Sequence, residues 1–239
     1  TKYRIEIKAQ NLPSSSSINK DNNPNDITLH HISYFTTIGL ESKPRIISLS
    51  CDRWLEDNDN DFWQELYLHD TWDVMIHMGD QIYADSYFTK ADKQGITSYN
   101  SLVELYRSIY RKSFTRPILN KILSSGSHYM IADDHDIINN FGYEYLQRQP
   151  LMNNIFQAGL QVYFEFQGSL LYDYHVKKKD YIYYKPYQFI QCGIFGLMLL
   201  DLRLERTFHH QSTYPLTGKR QLIDISLQLQ RWEQEESIQ

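Results

Sequence analysis

Four short acidic segments of the sequence carry the residue types that bind metal ions. They are Cys51-Asp52, Gly79-Asp80-Gln81-Ile82-Tyr83, Asp133-Asp134-His135-Asp136 and Asp201-Leu202-Arg203. Several carboxylates packed together would repel one another unless protons or cations neutralise them. Carboxylate oxygens suit divalent cations such as Ca²⁺, and a thiolate suits iron. The segments therefore predict a metal site, provided that the fold brings them together.

A pair of cations at such a site could support hydrolysis of a phosphate ester. Two cations about 3.5–4 Å apart can bind a phosphate, supply hydroxide near neutral pH and stabilise the leaving oxygen. His135 could protonate the leaving alkoxide, and Asp136 could orient the His135 ring. Arg203 could hold two phosphate oxygens through its guanidinium, although an ion pair with Glu205 is an equal alternative.

Each candidate also has an ordinary structural alternative. Asp80 could lie in a turn, and Asp134 could cap a helix. Tyr83 is one of 19 tyrosines, most of which must serve packing. Cys51 could be a small buried apolar residue. Asp85 is not expected to bind a metal ion itself. It is expected either to contact residues that do or to lie on the surface.

The apolar runs that precede the four segments predict the elements that position them. They are residues 46–50, 74–78, 129–132 and 194–200. Short continuous apolar runs are typical of strands that are buried on both faces of a parallel sheet. Ligands bind beyond the carboxyl ends of such strands, so four parallel neighbours would bring the acidic segments into one crevice.

Helical patterns lie between and after these runs. Ser101 and Glu104 have the spacing of a capping box, and Pro150 indicates the first turn of another helix. A third helix near the C-terminus carries Leu222, Leu229 and Trp232 at helical spacing and is expected to face the core. Strands that alternate with helices indicate an α/β domain.

The motifs SCD, HMGDQIYAD, DDHDI and DLRLER occur in this order, and together they resemble the PhoD-like phosphatases. This family, also called alkaline phosphatase D, belongs to the metallophosphoesterase superfamily. The resemblance covers residues 46–206, with weaker agreement over 216–232. It implies a calcineurin-like sheet sandwich flanked by helices. It also implies hydrolysis of phosphate mono- or diesters by a metal-activated hydroxide at a dinuclear centre.

The resemblance further implies roles for the acidic segments. Asp80 would bridge the two metal ions, which would be iron and calcium, or zinc or manganese in their place. Tyr83 would complete one site together with Cys51 or Asp52, and the sequence leaves that choice open. Asp134 would serve the other site. The residues expected to act in catalysis are then His135, Asp136 and Arg203.

One motif of the family has no counterpart here. A further histidine-bearing motif is expected downstream, but His209 and His210 come too early to supply it and the sequence ends at Gln239. The sequence therefore predicts a catalytic domain that is truncated at its C-terminus. It also leaves an alternative function, a truncated or degenerate module that binds a ligand without catalysis.

Composition limits the domain organisation and the partners. The 239 residues are expected to form an N-terminal β-rich segment with a polar loop, 1–43, and a metallophosphatase domain, 44–239.

A net charge of −5 disfavours a nucleic-acid partner, which also argues against a nuclease. The longest nearly apolar stretch, Cys192–Leu200, is too short to span a membrane. A phosphate ester is thus the expected partner, and the oligomeric state is left open. Without a signal-peptide pattern or an Asn-x-Ser/Thr acceptor, a cytoplasmic location is favoured.

Overall fold

The computed structural model describes residues 2–10, 27–53, 60–85, 87, 97–141, 150–170, 185–206 and 216–235. His209 and His210 lie outside the described residues. The strands are β1 (Lys2–Gln10), β2 (Ile27–Thr36), β3 (Ile46–Leu49), β4 (Val74–Met78), β5 (Ser127–Ile131), β6 (Gln188–Cys192) and β7 (Phe195–Leu199). The helices are α1 (Asn60–His69), α2 (Tyr99–Phe114), α3 (Pro117–Leu123), α4 (Pro150–Phe166) and α5 (Gly218–Gln234).

A parallel sheet of three strands, in the order β3-β4-β5, is the frame of the domain. Leu49 pairs with His77, and Met78 pairs with Ile131, so the three strands end at the same edge. This arrangement confirms the prediction of parallel strands for the first three apolar runs. The acidic segments that follow these strands therefore lie side by side.

The two faces of this sheet are covered by different elements. Met75 of β4 lies in one cluster with Trp63 of α1 and with Leu119 and Ile122 of α3. Val74 and Ile76 point to the opposite face, where a cluster that includes Cys192 and Leu199 of the β6–β7 hairpin covers them. Alternation along β4 thus buries both faces, as the continuous apolar run predicts.

The fourth apolar run does not join the parallel sheet, and this part of the prediction is wrong. It forms β7, which pairs antiparallel with β6 in a separate sheet of two strands. The physical reason is the tight turn between them, since Gln191 pairs with Gly196 across only a few residues. Gly193 adopts a φ of 63° in this turn, and a Cβ there would lie 2.2 Å from the carbonyl oxygen of Ser42.

A second packed cluster anchors the loop that follows β4. Ile82 and Ala84 of that loop are fully buried among side chains of α2 and α4, including Leu102, Tyr106 and Ile155. The loop is therefore held by apolar packing beneath the acidic residues that it carries.

The helix boundaries correct one prediction and confirm another. Helix α2 begins at Tyr99, and its N-cap is Ser98, whose hydroxyl accepts the N–H of Ser101 at 3.3 Å. The capping box at Ser101 and Glu104 is therefore misplaced. Helix α4 begins at Pro150, as its position in a first turn predicts.

Helix α5 forms where it is predicted, but its apolar residues do not all face the core. Gln221 is its buried residue, whereas Leu222 and Leu229 are 37% and 52% exposed. The Gln221 amide explains this rotation, because it accepts the N–H of Asp201 at 2.9 Å and donates to the Asp201 carbonyl at 2.8 Å. Trp232 does pack inward, and its ring lies against Gly196.

The N-terminal strands β1 and β2 pair antiparallel with each other. Both strands are predicted by the sequence, whereas the division of the chain at residue 43 stays a prediction. None of the helices within the described ranges is long and apolar enough to cross a membrane.

Candidate metal centre

The site is built at the carboxyl edge of the parallel sheet. Beyond the ends of the strands, the Cys51 N–H donates to the Gly79 carbonyl at 3.2 Å, and the Asp52 N–H donates to the Asp80 carbonyl at 2.9 Å. Cys51 and Asp80 adopt positive φ angles of 65° and 58°, which are uncommon for residues with a side chain. Such strained positions cluster at functional sites.

Gly79 allows the β4 and β5 loops to touch. Its φ is 91°, and a Cβ at this position would lie 2.3 Å from the Cβ of Asp133. No other residue type has room for that approach. The closeness of the two loops is what brings Asp80 near the segment from 133 to 136.

Asp80 is the centre of the group. Its carboxylate is almost fully buried, with one oxygen accepting the His135 N–H at 3.2 Å. The other oxygen accepts the Tyr83 hydroxyl at 3.2 Å and lies 3.7 Å from Sγ of Cys51. Burial raises the pKa of Asp80, with a further contribution from Asp133. The environment thus disfavours its negative charge unless a cation is bound.

Asp80, Asp134 and His135 form a group that could hold a metal ion. One potential ligand atom from each lies within 4.8 Å of the others. Cys51 and Tyr83 adjoin this group through Asp80. Burial and the nearby Asp80 charge raise the pKa of the Tyr83 hydroxyl, so a cation is needed to favour a phenolate.

The structure separates Cys51 from Asp52, which the sequence leaves as alternatives. The Asp52 carboxylate forms an ion pair with Arg116 and accepts the indole N–H of Trp63 at 3.3 Å. Both partners of the ion pair are largely buried. Cys51, and not Asp52, has its side chain beside Asp80.

Asp134 is ionised in this setting. Burial alone would raise its pKa, but the Asn140 N–H, at 2.6 Å, and the Arg203 guanidinium, at 3.1 Å, lower it. Arg203 also forms an ion pair with Asp133. The geometry therefore favours these two carboxylates over Glu205 as the ionic partners of Arg203.

His135 contacts Asp85 rather than Asp136. The His135 Nδ1 atom is hydrogen-bonded to a carboxylate oxygen of Asp85, and the Tyr83 ring stacks on the imidazole with a centroid distance of 4.4 Å. Burial lowers the pKa of His135, but the Asp85 hydrogen bond and charge outweigh it, and the net shift is upward. The expectation that Asp136 orients His135 is wrong, because the Asp136 carboxylate is used elsewhere.

Asp136 is a buried connector between the two loops. Its carboxylate accepts the N–H groups of Asp80 at 2.7 Å, Gln81 at 3.1 Å and Asp133 at 3.0 Å, and the Gln167 amide at 3.0 Å. Burial raises its pKa to about 7, against the lowering effect of these donors. Asp136 thus sets the backbone position of Asp80.

Asp201 does not contribute its carboxylate to the group of Asp80. The Asp201 oxygens accept the N–H groups of Arg203, Leu204 and Glu205 at 3.0 to 3.2 Å. The prediction that all four acidic segments share one crevice is therefore wrong for Asp201. Its effect on the site is indirect, since the turn that it stabilises carries Arg203.

Two residues of the site have contacts that the sequence does not predict. Asp133 is the ionic partner of Arg203, and Asp85 is the partner of His135. The signal for Asp85 was its place within the motif HMGDQIYAD, on the same loop as Asp80 and Tyr83. Only the fold shows that this loop passes beside His135.

These elements define an α/β domain with a candidate metal centre of carboxylates, a thiol and a phenol at the carboxyl edge of its parallel sheet. Residues 46–236 match the family described as PhoD-like phosphatase, and the chain therefore belongs to that family. This membership confirms the resemblance seen in the four motifs.

One solved structure, described as "Structure of PhoD", is similar in fold. The similarity has a TM-score of 0.63 at 15% sequence identity and covers 83% of this chain. It covers 42% of the other chain, so the present chain spans less than half the length of that structure. At this identity the similarity shows the fold alone. None of the curated proteins matches the chain.

Proposed function

We propose that this protein is a metal-dependent phosphatase that hydrolyses phosphate mono- or diesters at a dinuclear centre. The observation that carries the proposal is the convergence of three side chains: a carboxylate oxygen of Asp80, one of Asp134 and a ring nitrogen of His135 lie within 4.8 Å of one another. Family membership supplies the reaction class.

The donor types of the residues present support the assignment of a pair of cations. Burial, and secondly the charge of Asp133, raise the pKa of the Asp80 carboxyl, and a bound cation would favour its ionised form. Asp80 would hold both ions, Cys51 and Tyr83 would complete an iron site, and Asp134 would serve a second site suited to calcium or a similar ion. When bound, such cations supply hydroxide near neutral pH and neutralise the charge of the phosphate.

The protein side chains around the centre then bind the substrate and move a proton. His135 donates a proton to the leaving oxygen of the ester. Arg203 is held by Asp133 and Asp134, and its Nη1 atom is buried without a hydrogen-bond partner among the described residues. A phosphate oxygen would supply that partner.

Turnover with and without cations tests the proposal. The purified protein is incubated with 4-nitrophenyl phosphate and bis(4-nitrophenyl) phosphate, first with iron and calcium and then after treatment with a chelator. We expect phosphate release that the chelator abolishes and the cations restore. Turnover that is insensitive to the chelator would contradict the proposal. Cation binding without turnover would instead favour the non-catalytic module.

Two further expectations stay predictions alongside this function. The β6–β7 hairpin on one face of the parallel sheet supports the sheet sandwich that the resemblance implies. The cytoplasmic location rests on the sequence patterns alone.

A further inference from the structure

Three contacts fix the orientation of helix α5 on the rest of the chain. The Gln221 amide binds both backbone groups of Asp201. The Asp224 carboxylate accepts the Tyr187 hydroxyl at 2.6 Å, and the Trp232 ring packs on β7. These contacts hold one side of the helix inward and thereby determine which residues form its outward face.

The outward face of α5 carries four large apolar side chains. Leu222, Ile223, Leu227 and Leu229 are 37% to 52% exposed. A single exposed leucine, such as Leu68 on α1, is ordinary, but these four lie together on one side of one helix. A contiguous apolar patch with polar residues at its border is typical of an interaction site.

The outward face also has the shape that a second helix fits. It contains a shallow groove of about 270 Å³. The residues that line this groove form two rows with a spacing of four residues, namely Lys219-Ile223-Leu227 and Leu222-Ser226-Gln230. Rows of this kind on one helix pack into the grooves of another. The small side chain of Ser226 allows the second helix to approach closely.

The charges at the two ends of the face indicate which helix fits it. Lys219 lies in the first turn of α5 and Glu233 in the last, and both are exposed. They are 14 positions apart, which is close to four helical turns, so they lie on the same side of the helix with Ser226 midway. Two copies of α5 that run antiparallel and cross at Ser226 therefore bring Lys219 of each copy beside Glu233 of the other. The apolar side chains then lie between two ion pairs.

We propose that the outward face of α5 is the interface of a homodimer, in which two copies of the chain pair through this helix in an antiparallel arrangement. A twofold axis through the contact makes the face complementary to itself. A helix of 17 residues is about 25 Å long, so the contact buries less than the roughly 1,200 Å² that stable complexes need. The dimer is therefore weak, with a Kd on the order of 10 to 100 µM.

Sedimentation equilibrium measures this association directly. Over a range of about 1 to 300 µM, the mass of the wild type should rise from that of one chain towards that of two. Leu227→Lys should keep the chain monomeric over the same range, because it places a charge in the apolar patch. Leu68→Lys is the matched control, since it changes an exposed leucine on α1 and should dimerise as the wild type does. Circular dichroism checks that each variant is folded.

Reversal of the end charges tests the antiparallel arrangement. Lys219→Glu and Glu233→Lys should each raise the Kd by roughly tenfold, because each places like charges opposite one another. The double variant should restore the Kd of the wild type. In a parallel dimer Lys219 would lie beside Lys219, and neither the loss nor the recovery would occur.

Three results would overturn the proposal. A wild-type chain that stays monomeric throughout the range would show that a second copy does not cover this face. Association that Leu227→Lys leaves unchanged would place the interface on another surface. Single charge reversals without effect, or a double variant that does not recover, would exclude the antiparallel pairing. These measurements do not involve turnover, so they leave the proposed function to its own test.

Discussion

The side chains around Asp80 show how neighbouring residues in the sequence can have different roles. Cys51 and Asp52 are adjacent, yet the thiol faces Asp80 and the carboxylate pairs with Arg116. The positive φ of Cys51 turns the chain between them. Residue type alone leaves both as potential ligands, and the backbone conformation distinguishes them.

Substitutions at these two positions should therefore affect different properties, namely iron binding at Cys51 and stability at Asp52. We expect Cys51→Ser to reduce iron binding with little change in stability. Asp52→Asn should leave metal binding nearly unchanged but destabilise the fold by about 3 kcal/mol, because it removes the negative charge that pairs with the largely buried Arg116 guanidinium. Iron content and the free energy of unfolding in urea measure the two effects. Loss of iron binding in Asp52→Asn with stability retained would contradict this assignment.

Neighbouring side chains in the third segment also diverge. Asp134 and His135 lie close to Asp80, whereas Asp136 is directed to the backbone of the β4 loop. The sequence predicts that the segments of Asp80 and Asp134 lie close together, because each follows a buried strand of the parallel sheet. It could not predict the partner of His135, since that depends on a loop from another strand.

At the scale of elements, the contact between the β4 and β5 loops determines whether a site exists. Both loops follow parallel strands, and the pairing of Met78 with Ile131 brings them to the same edge. Gly79 then permits the backbone to approach Asp133. The periodicity of the sequence predicts the strands, but the need for glycine at the contact becomes visible only in three dimensions.

Replacing Gly79 should disturb this contact. In Gly79→Ala the added Cβ meets Asp133 at 2.3 Å and the φ of 91° becomes strained, so we expect a loss of roughly 3 kcal/mol in stability and weaker cation binding. Gly39→Ala is the matched control, because no heavy atom lies within 4 Å of its new Cβ. Urea unfolding of the two variants measures the difference. Equal stability would show that the close approach is not required.

A buried histidine pair makes the parallel sheet sensitive to acid. Nε2 of His77 on β4 lies 3.1 Å from Nδ1 of His128 on β5. Burial, and secondly the charge of His128, lowers the pKa of His77 to about 3. Burial also lowers the pKa of His128, so both effects have the same sign. Both rings are therefore neutral in the folded protein at physiological pH.

The free energy of unfolding should accordingly decrease as the pH falls from about 6.5 towards 3. Over this range His77 binds a proton in the unfolded chain but not in the folded chain. From His77 alone we expect about 2 kcal/mol less stability at pH 5 than at pH 7.5. Urea unfolding at the two pH values should show this difference, and His77→Asn should reduce it. His69→Asn, at an exposed position on α1, should not. An unchanged pH dependence in His77→Asn would exclude this origin.

At the scale of the whole molecule, the α/β class and the family are predicted from the sequence, whereas the pairing of strand β7 and the buried face of helix α5 are not. Alternating strands and helices, together with four ordered motifs, sufficed for the class. The fourth apolar run was misassigned because a continuous run does not reveal whether its neighbour is parallel or antiparallel. Gln221 likewise rotates α5 through a polar contact with Asp201 that the apolar periodicity does not contain.

The chain carries a net charge of −5, and four of its acidic residues lie together where the parallel strands end. Four aspartates, Asp80, Asp133, Asp134 and Asp136, lie on two touching loops, and Arg203 compensates only part of this charge. The proposed site therefore needs bound cations to balance these carboxylates.

Counting bound cations tests this dependence most directly. Protein freed of metal by a chelator is titrated with Mn²⁺, and free Mn²⁺ is followed by electron paramagnetic resonance for the wild type, Asp80→Asn and the exposed control Asp70→Asn. We predict two Mn²⁺ ions per chain for the wild type and the control, and a loss of both in Asp80→Asn with the fold retained. Wild-type protein that binds no Mn²⁺, or Asp80→Asn protein that binds as many ions as the wild type, would contradict the account.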